Sequence, residues 1–455
     1  MRSPVPKARL RRAQGHRNLL TGSAMLVVGA GIQALSGAVF WLIAAKLDTT
    51  ADVGDAAKLF QSVLFVTYLA GLGLPISLAR YAAGRDEESD VTFTWGVVAT
   101  VSAGVVMGLA YVAALHSSAT DVLTDWNPVL GPLLFAVIVA GAALSMIADV
   151  RCMTARRWNL VIVRISLVGL ARFPLLFLMR DGEHRGLWLF VFATAPLAAS
   201  GIITAVVAPR LAGGRLRLGP RPSTARQAVR YSGVNYVSQL AYQAPYFALP
   251  VIVLTFVTSD AYASFNVAWG IVAVAFYVPI ALGQALLAEG GRDGAHLRSQ
   301  VKLAMVLALG LMTVGALFTW FGRDLVTTIY GADYSEAARV LPAMVAAGIP
   351  WAVTSLLLSE VRILHRHAAT VVITLGLTAA IVVPALILVP DDGIDGASVS
   401  WFIGNLVAAA IAIGATLVSR ARVAAGAPVE DPSLSAPETA ADAAEVGITL
   451  AEHSA

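Results

Sequence analysis

The chain has 455 residues, 58% of them hydrophobic and only 13% charged, with a mean hydropathy of +0.75. Soluble domains carry about 25% charged residues, so a water-soluble fold is excluded. The pI near 9.3 is compatible with a nucleic-acid partner, but the Lys and Arg residues sit in short clusters between long apolar runs, which is a membrane-orientation pattern and excludes nucleic acid.

A membrane-spanning helix needs about 20 apolar residues. Twelve segments reach that length, near 21–47, 56–80, 91–115, 129–149, 158–178, 186–208, 231–257, 261–287, 301–320, 337–359, 368–389 and 396–419. Arg9, Arg11 and Arg12 precede the first, but its apolar stretch is too long for a signal-peptide core and no small-residue cleavage site closes it. The expected fold is all-α and polytopic. Its divisions are a basic N-terminus (1–20), a first six-helix bundle (21–210), a basic linker (211–230), a second bundle (231–420) and an acidic, Pro- and Ala-rich tail (421–455) expected to be disordered.

Alternate loops divide the basic residues 24 to 6, the larger share lying on the side of the N-terminus. That bias predicts a multi-pass inner-membrane protein with both ends in the cytoplasm. The outer loops are short and hold only scattered acids such as Asp121, Asp125, Asp391 and Asp392, which argues against an enzyme. Asp86, Glu87, Glu88 and Asp90 read as a solvated turn without a role. His365 and His367 have no companion ligand, the single Cys152 excludes an internal disulfide, and no metal or other cofactor is expected.

The two halves repeat at a near-constant offset of 208 to 211 residues. Asp149-Val150-Arg151 matches Glu360-Val361-Arg362, Pro174 matches Pro384, and Gln33 matches Gln243. Gly186 and Arg210 match Gly396 and Arg420, and Asp52 matches Asp260. Two parallel six-helix repeats around a central cavity are the expected architecture, a plan used by alternating-access carriers.

Two arginines lie inside the fifth span. Arg164 and Arg172 are eight residues apart and project within about 80° of each other on a helix. A buried guanidinium costs about 2.5–3.5 kcal/mol, so it is expected to face a cavity and a partner. Every acid near a span, among them Asp149, Glu289 and Glu360, is placed at a helix edge, so the expected partner is an anionic ligand. The alternative is snorkelling, easier for Arg164 than for Arg172. On the seventh span, Tyr231, Asn235, Gln239, Tyr242 and Tyr246 share one face, flanked by Gln243. This stripe reads either as sugar-binding or as hydrogen bonding between helices; Gln33, the repeat counterpart of Gln243, joins it as a candidate. Pro245 and Pro250 mark a candidate hinge.

The run Phe40-Trp41-Leu42-Ile43-Ala44-Ala45-Lys46-Leu47, followed by Ala51-Asp52-Val53-Gly54, Leu72-Gly73-Leu74 and Leu78-Ala79-Arg80-Tyr81, resembles the start of polysaccharide flippases of the multidrug/oligosaccharidyl-lipid/polysaccharide exporter superfamily. Ser259-Asp260-Ala261-Tyr262-Ala263 is similar to the family's repeated helix entry. The resemblance implies a flippase for an oligosaccharide carried on a polyprenyl pyrophosphate, surrounded by membrane lipids and working with polysaccharide assembly proteins. It also implies a role for Arg80 in receiving the pyrophosphate, where a plain positive-inside anchor is the alternative. The sequence departs from the drug-exporting branch in lacking acids inside its helices, and from the fourteen-span lipid II flippases in having twelve spans. A drug or cation antiporter of the same fold, or a major-facilitator-type carrier, is the competing reading.

Overall fold

In the computed structural model the described residues run from 29 to 424, apart from 30, 34, 72, 82–86, 116–117, 156, 178–182, 212–213, 221–224, 291–296 and 365. The side chains at 76, 79–81, 118–119, 158, 225–239, 284–285, 287–290 and 423–424 are also outside the description. The expected basic N-terminus, most of the tail and His365 fall outside it.

Fifteen α-helices are described: α1 (Gly31–Leu47), α2 (Thr50–Ala70), α3 (Leu74–Tyr81), α4 (Glu87–Ala114), α5 (Ser118–Trp126), α6 (Leu130–Thr154), α7 (Trp158–Leu176) and α8 (Arg185–Leu211). The second half holds α9 (Ala225–Phe256), α10 (Ser259–Gly290), α11 (Leu297–Phe321), α12 (Asp324–Tyr330), α13 (Ser335–Ala346), α14 (Gly348–Ile363) and α15 (His367–Ala424). Among the described residues there is no strand. Eight stretches are long and apolar enough to cross a membrane, and Gly31–Leu47 and Leu240–Phe256 are shorter apolar helices. Apolar side chains also face outward: along α11, Leu303, Val306, Leu307, Leu311, Val314 and Phe318 are exposed while Val301, Ala304, Ala308 and Met312 are buried. A helix with an apolar face on both sides needs lipid on one of them. The chain is a multi-pass membrane protein.

Glycines fix how the helices cross. Gly104 and Gly108 of α4, one turn apart, lie against Ala140 and Ala136 of α6, where an added Cβ would sit 2.7 and 2.8 Å from the alanine Cα atoms. Small residues at this spacing let membrane helices approach backbone to backbone. The descending register also shows that α4 and α6 run antiparallel. In α6 and α8 the register ascends together, Gly141 meeting Ala198 and Ser145 meeting Gly201, so these helices are parallel. The same arrangement recurs in the second half. The Ser398 hydroxyl donates to the Val340 carbonyl, and Arg420 reaches Glu360. The pairing offset is 56–57 residues in the first half and 58–60 in the second.

Two expected spans are not simple helices. The second breaks at Gly71–Gly73 into α2 and α3, with Gly73 at φ 65, a left-handed backbone that glycine adopts without strain. The tenth is α13 followed by α14. The eleventh and twelfth are the two arms of α15, which reverses at Gly393 (φ 57, ψ −129). Gly404 against Ile381 and Gly376 against Ile411 show the arms packed antiparallel. The loops after the third and ninth spans are not plain turns, because each folds a short helix, α5 or α12. Asp90, read as part of a solvated turn, lies inside α4. Its carboxylate accepts from Arg151 (2.8 Å) and from the Arg215 backbone N–H (2.7 Å), tying the segment between the halves to the first half.

Candidate functional site

Buried charge is concentrated in the first half. Among the described residues five cations are buried (Lys58, Arg151, Arg164, Arg172 and Arg185), and three of them face acids: Arg164 faces Asp149, Arg185 faces Asp48, whose side chain is 3% exposed, and Arg151 faces Asp90, while Glu360 is a buried acid of the second half. All five cations belong to α2, α6, α7 or α8.

Arg164 does not await an external anion in this state. Its Nε donates to Asp149 Oδ1 at 2.8 Å, a terminal nitrogen binds the other carboxylate oxygen, and Nη1 lies 3.4 Å from Ser200 Oγ. This overturns the expectation that no acid in a span could neutralise it. The reason is length: α6 runs on to Thr154, which puts Asp149 more than a turn inside the helix and facing α7. The bidentate fork is the geometry that makes a buried carboxylate–guanidinium pair tolerable. The repeated acid chooses differently in the second half, where Glu360 accepts two bonds from Arg420 Nη2 (2.6 and 2.7 Å). Arg210, the repeat counterpart of Arg420, is exposed.

Arg172 is 1% exposed, with its guanidinium 6.0 Å from the centre of the Phe60 ring on α2. That distance is at the outer limit of a cation–π contact. It brings the α7 charge to α2, a first-half helix that also touches the second half.

The aromatic stripe of α9 splits on inspection. Tyr242 stacks on Trp351 (6.0 Å) beneath the Arg362 guanidinium (5.0 Å). Tyr246 packs on Trp269 (5.1 Å) and edge-on to Trp401 (5.8 Å). With Phe276 these rings form the aromatic core of the second half, so in this state the two tyrosines pack between helices. The neighbouring Phe247, which the sequence did not single out, stacks on Tyr68 of α2 at 4.6 Å and thus faces the first half. Gln33 and Gln243 are both buried, and the Gln33 carbonyl accepts from Ser36 Oγ (2.9 Å). Arg80 lies on α3 and Asn235 and Gln239 lie on α9, but their side chains, like that of Tyr231, are outside the described residues.

The halves also meet at the end where α2 and α10 begin. Both starts use the same device. Thr49 caps α2, its hydroxyl accepting from Asp52 N–H (3.2 Å), and Thr258 does so for α10 through Ala261 N–H (3.4 Å). Across the junction, Lys58 Nζ donates to the Val257 carbonyl (3.0 Å) and lies 3.3 Å from Ser259 Oγ. Ser259 Oγ donates to Asp55, and Thr50 Oγ1 donates to Asp260. The available sequence signal was the pair of threonine-led helix starts, 209 residues apart.

No family model matches the chain, and no curated protein does. Solved structures match across nearly the whole fold. One is an inward-facing conformation of a multidrug resistance MATE family transporter of the MOP superfamily (TM-score 0.65, 17% identity, 89% of this chain and 98% of that one). An outward-facing conformation of such a transporter gives 0.58 at 17% identity over 90% and 96%. A MOP superfamily transporter from Pyrococcus furiosus, described by the reverse polarity of its binding pocket, gives 0.59 at 17% identity over 90% and 96%. The chain has the fold of these transporters. It is all-helical, with about twelve spans in two parallel six-helix repeats around a central cavity.

Proposed function

We propose that the chain is an alternating-access carrier, not an enzyme, that flips a polyprenyl-pyrophosphate-linked oligosaccharide across the inner membrane for cell-surface polysaccharide synthesis. The observation that carries this reading is Arg172 of α7, a guanidinium inside an expected span, 1% exposed and set against the Phe60 ring. Where a cavity opens beside it, the Arg172 guanidinium fork would match the oxygens of a pyrophosphate. The buried acids Asp149 and Glu360 are each occupied by an arginine, which leaves neither for a transported cation. The Pyrococcus furiosus structure, with its pocket of reverse polarity, supports the idea that this fold is put to more than one use.

Both termini face the cytoplasm in this reading, so the α2–α10 junction lies at the outer surface. Membrane lipids and polysaccharide assembly proteins surround the carrier. Arg80 receives the pyrophosphate at the inner surface, while Gln33, Asn235, Gln239, Tyr242, Gln243 and Tyr246 serve the sugar as the helices re-pack. The second reading is drug antiport, favoured by the MATE multidrug transporters among the structural matches. Complementation of a flippase-deletion strain separates the two. Restored surface polysaccharide with unchanged resistance to cationic dyes supports the flippase, whereas dye resistance without polysaccharide would establish the antiporter.

A further inference from the structure

The junction between the helix starts is made of hydrogen bonds that cross from one half to the other. Lys58 is 0% exposed, and its ammonium reaches across to Val257 and Ser259 of the other half. Asp55 takes the Ser259 hydroxyl, and Asp260 takes that of Thr50. Gly54 lies so near the Ser259 backbone carbonyl that a Cβ added there would collide with it. The residues of this junction are therefore matched in shape as well as in charge.

Its chemistry differs from that inside each half. The second half is held together by stacked tryptophan, tyrosine and phenylalanine rings, whose burial makes a lasting joint. The junction is held chiefly by hydroxyls, carboxylates and one ammonium, groups that water solvates as soon as the surfaces part. Asp55 and Lys58 are also one turn apart on α2, so each retains an opposite charge nearby after separation. The Thr49 and Thr258 caps bond within their own halves and survive it.

The geometry points to a latch. Lys58, Asp55 and Thr50 of α2, bonded to Val257, Ser259 and Asp260, hold the outer gate shut, and the gate opens when these bonds exchange for water. The latch rests on the alternating-access reading and adds the residues that set the balance between its two states. Tyr68 and Phe247, ten residues from Lys58 along α2 and from Val257 along α9, stack about 15 Å deeper between the halves and are uncovered as the gate opens.

The test uses full-length protein in intact cells with Phe247→Cys as reporter, since the native Cys152 is buried. A membrane-impermeant maleimide is added from outside and the labelling rate is measured. Lys58→Met removes the cross-junction donor, and Gly54→Leu wedges the surfaces apart. Each should raise labelling of Cys at 247 about tenfold, the shift expected when a bias of this kind is removed from a two-state equilibrium. A control cysteine at Leu358, inside the second half, should stay unlabelled. Unchanged labelling in both variants overturns the latch, as does equal labelling at 247 and 358, which reports general loosening. The readout needs no substrate. A chain that exports polysaccharide with unresponsive labelling loses only the latch, and one that responds without exporting loses only the substrate assignment.

Discussion

At the scale of single residues, Arg164 and Arg172 now have different tasks. Sequence made them a pair, because spacing alone shows which face a side chain takes and not which acid faces it. Asp149 was visible, but its neutralising role depended on α6 running five residues past the expected end. Breaking a buried pair by removing one partner costs about 3–5 kcal/mol, whereas removing both together costs far less. Arg164→Leu should therefore lower the melting temperature of the detergent-solubilised protein sharply, and Asp149→Leu combined with Arg164→Leu should restore most of it. Additive losses in that double-mutant cycle would show that the pair contributes nothing. Arg172 carries the pyrophosphate claim. Arg172→Leu should abolish export at normal membrane abundance, and Arg172→Lys should retain part, because lysine keeps the charge and loses the fork. Full export by Arg172→Leu would move the claim elsewhere. Tyr246 tests packing: Tyr246→Phe should leave stability unchanged in the same melting assay, while Tyr246→Ala should cost about 3–5 kcal/mol, as loss of a buried ring does. A large loss with phenylalanine would show that the hydroxyl, not the ring, matters for stability.

At the scale of elements, length and apolarity pointed to about twelve spans, the number this fold carries, since the bilayer sets a fixed requirement that composition reports directly. The break at Gly71–Gly73 was not legible, because glycine in an apolar run serves equally as a bend or as a close-packing site, whereas the reversal at Gly393 falls in the gap between the expected spans 368–389 and 396–419. α5 and α12 were missed for a related reason: nine and seven residues are too few for a clear helical period. Of the stripe on α9 only Tyr242, Gln243 and Tyr246 have described side chains, and amphipathicity does not say whether a polar face meets substrate or another helix. The α15 hairpin offers an element-level test. Gly404→Leu places a side chain where an added Cβ would sit 2.6 Å from the Ala380 carbonyl oxygen, so the two arms must spread. Overpacking of this kind costs about 1–3 kcal/mol. A lowered melting temperature is expected, and an unchanged one would contradict the antiparallel contact.

At the scale of the whole molecule, the duplication was readable because matched residues such as Asp149 and Glu360 mark equivalent places in each half. How the halves touch was not readable, since Lys58 and Val257 are 199 residues apart and no local pattern links them. The same limit applies to substrate, since a shared fold does not say what crosses it. The reading as a whole stands on what crosses the membrane. The purified protein, reconstituted into liposomes with a fluorescent polyprenyl-pyrophosphate oligosaccharide, should accelerate movement of that lipid between leaflets, seen as growing accessibility to an impermeant quencher. Inorganic pyrophosphate on the inner-surface side should slow it, and Arg172→Leu protein should behave like empty liposomes. Flipping no faster than in empty liposomes, together with uptake of a cationic dye by the same preparation, would contradict the account.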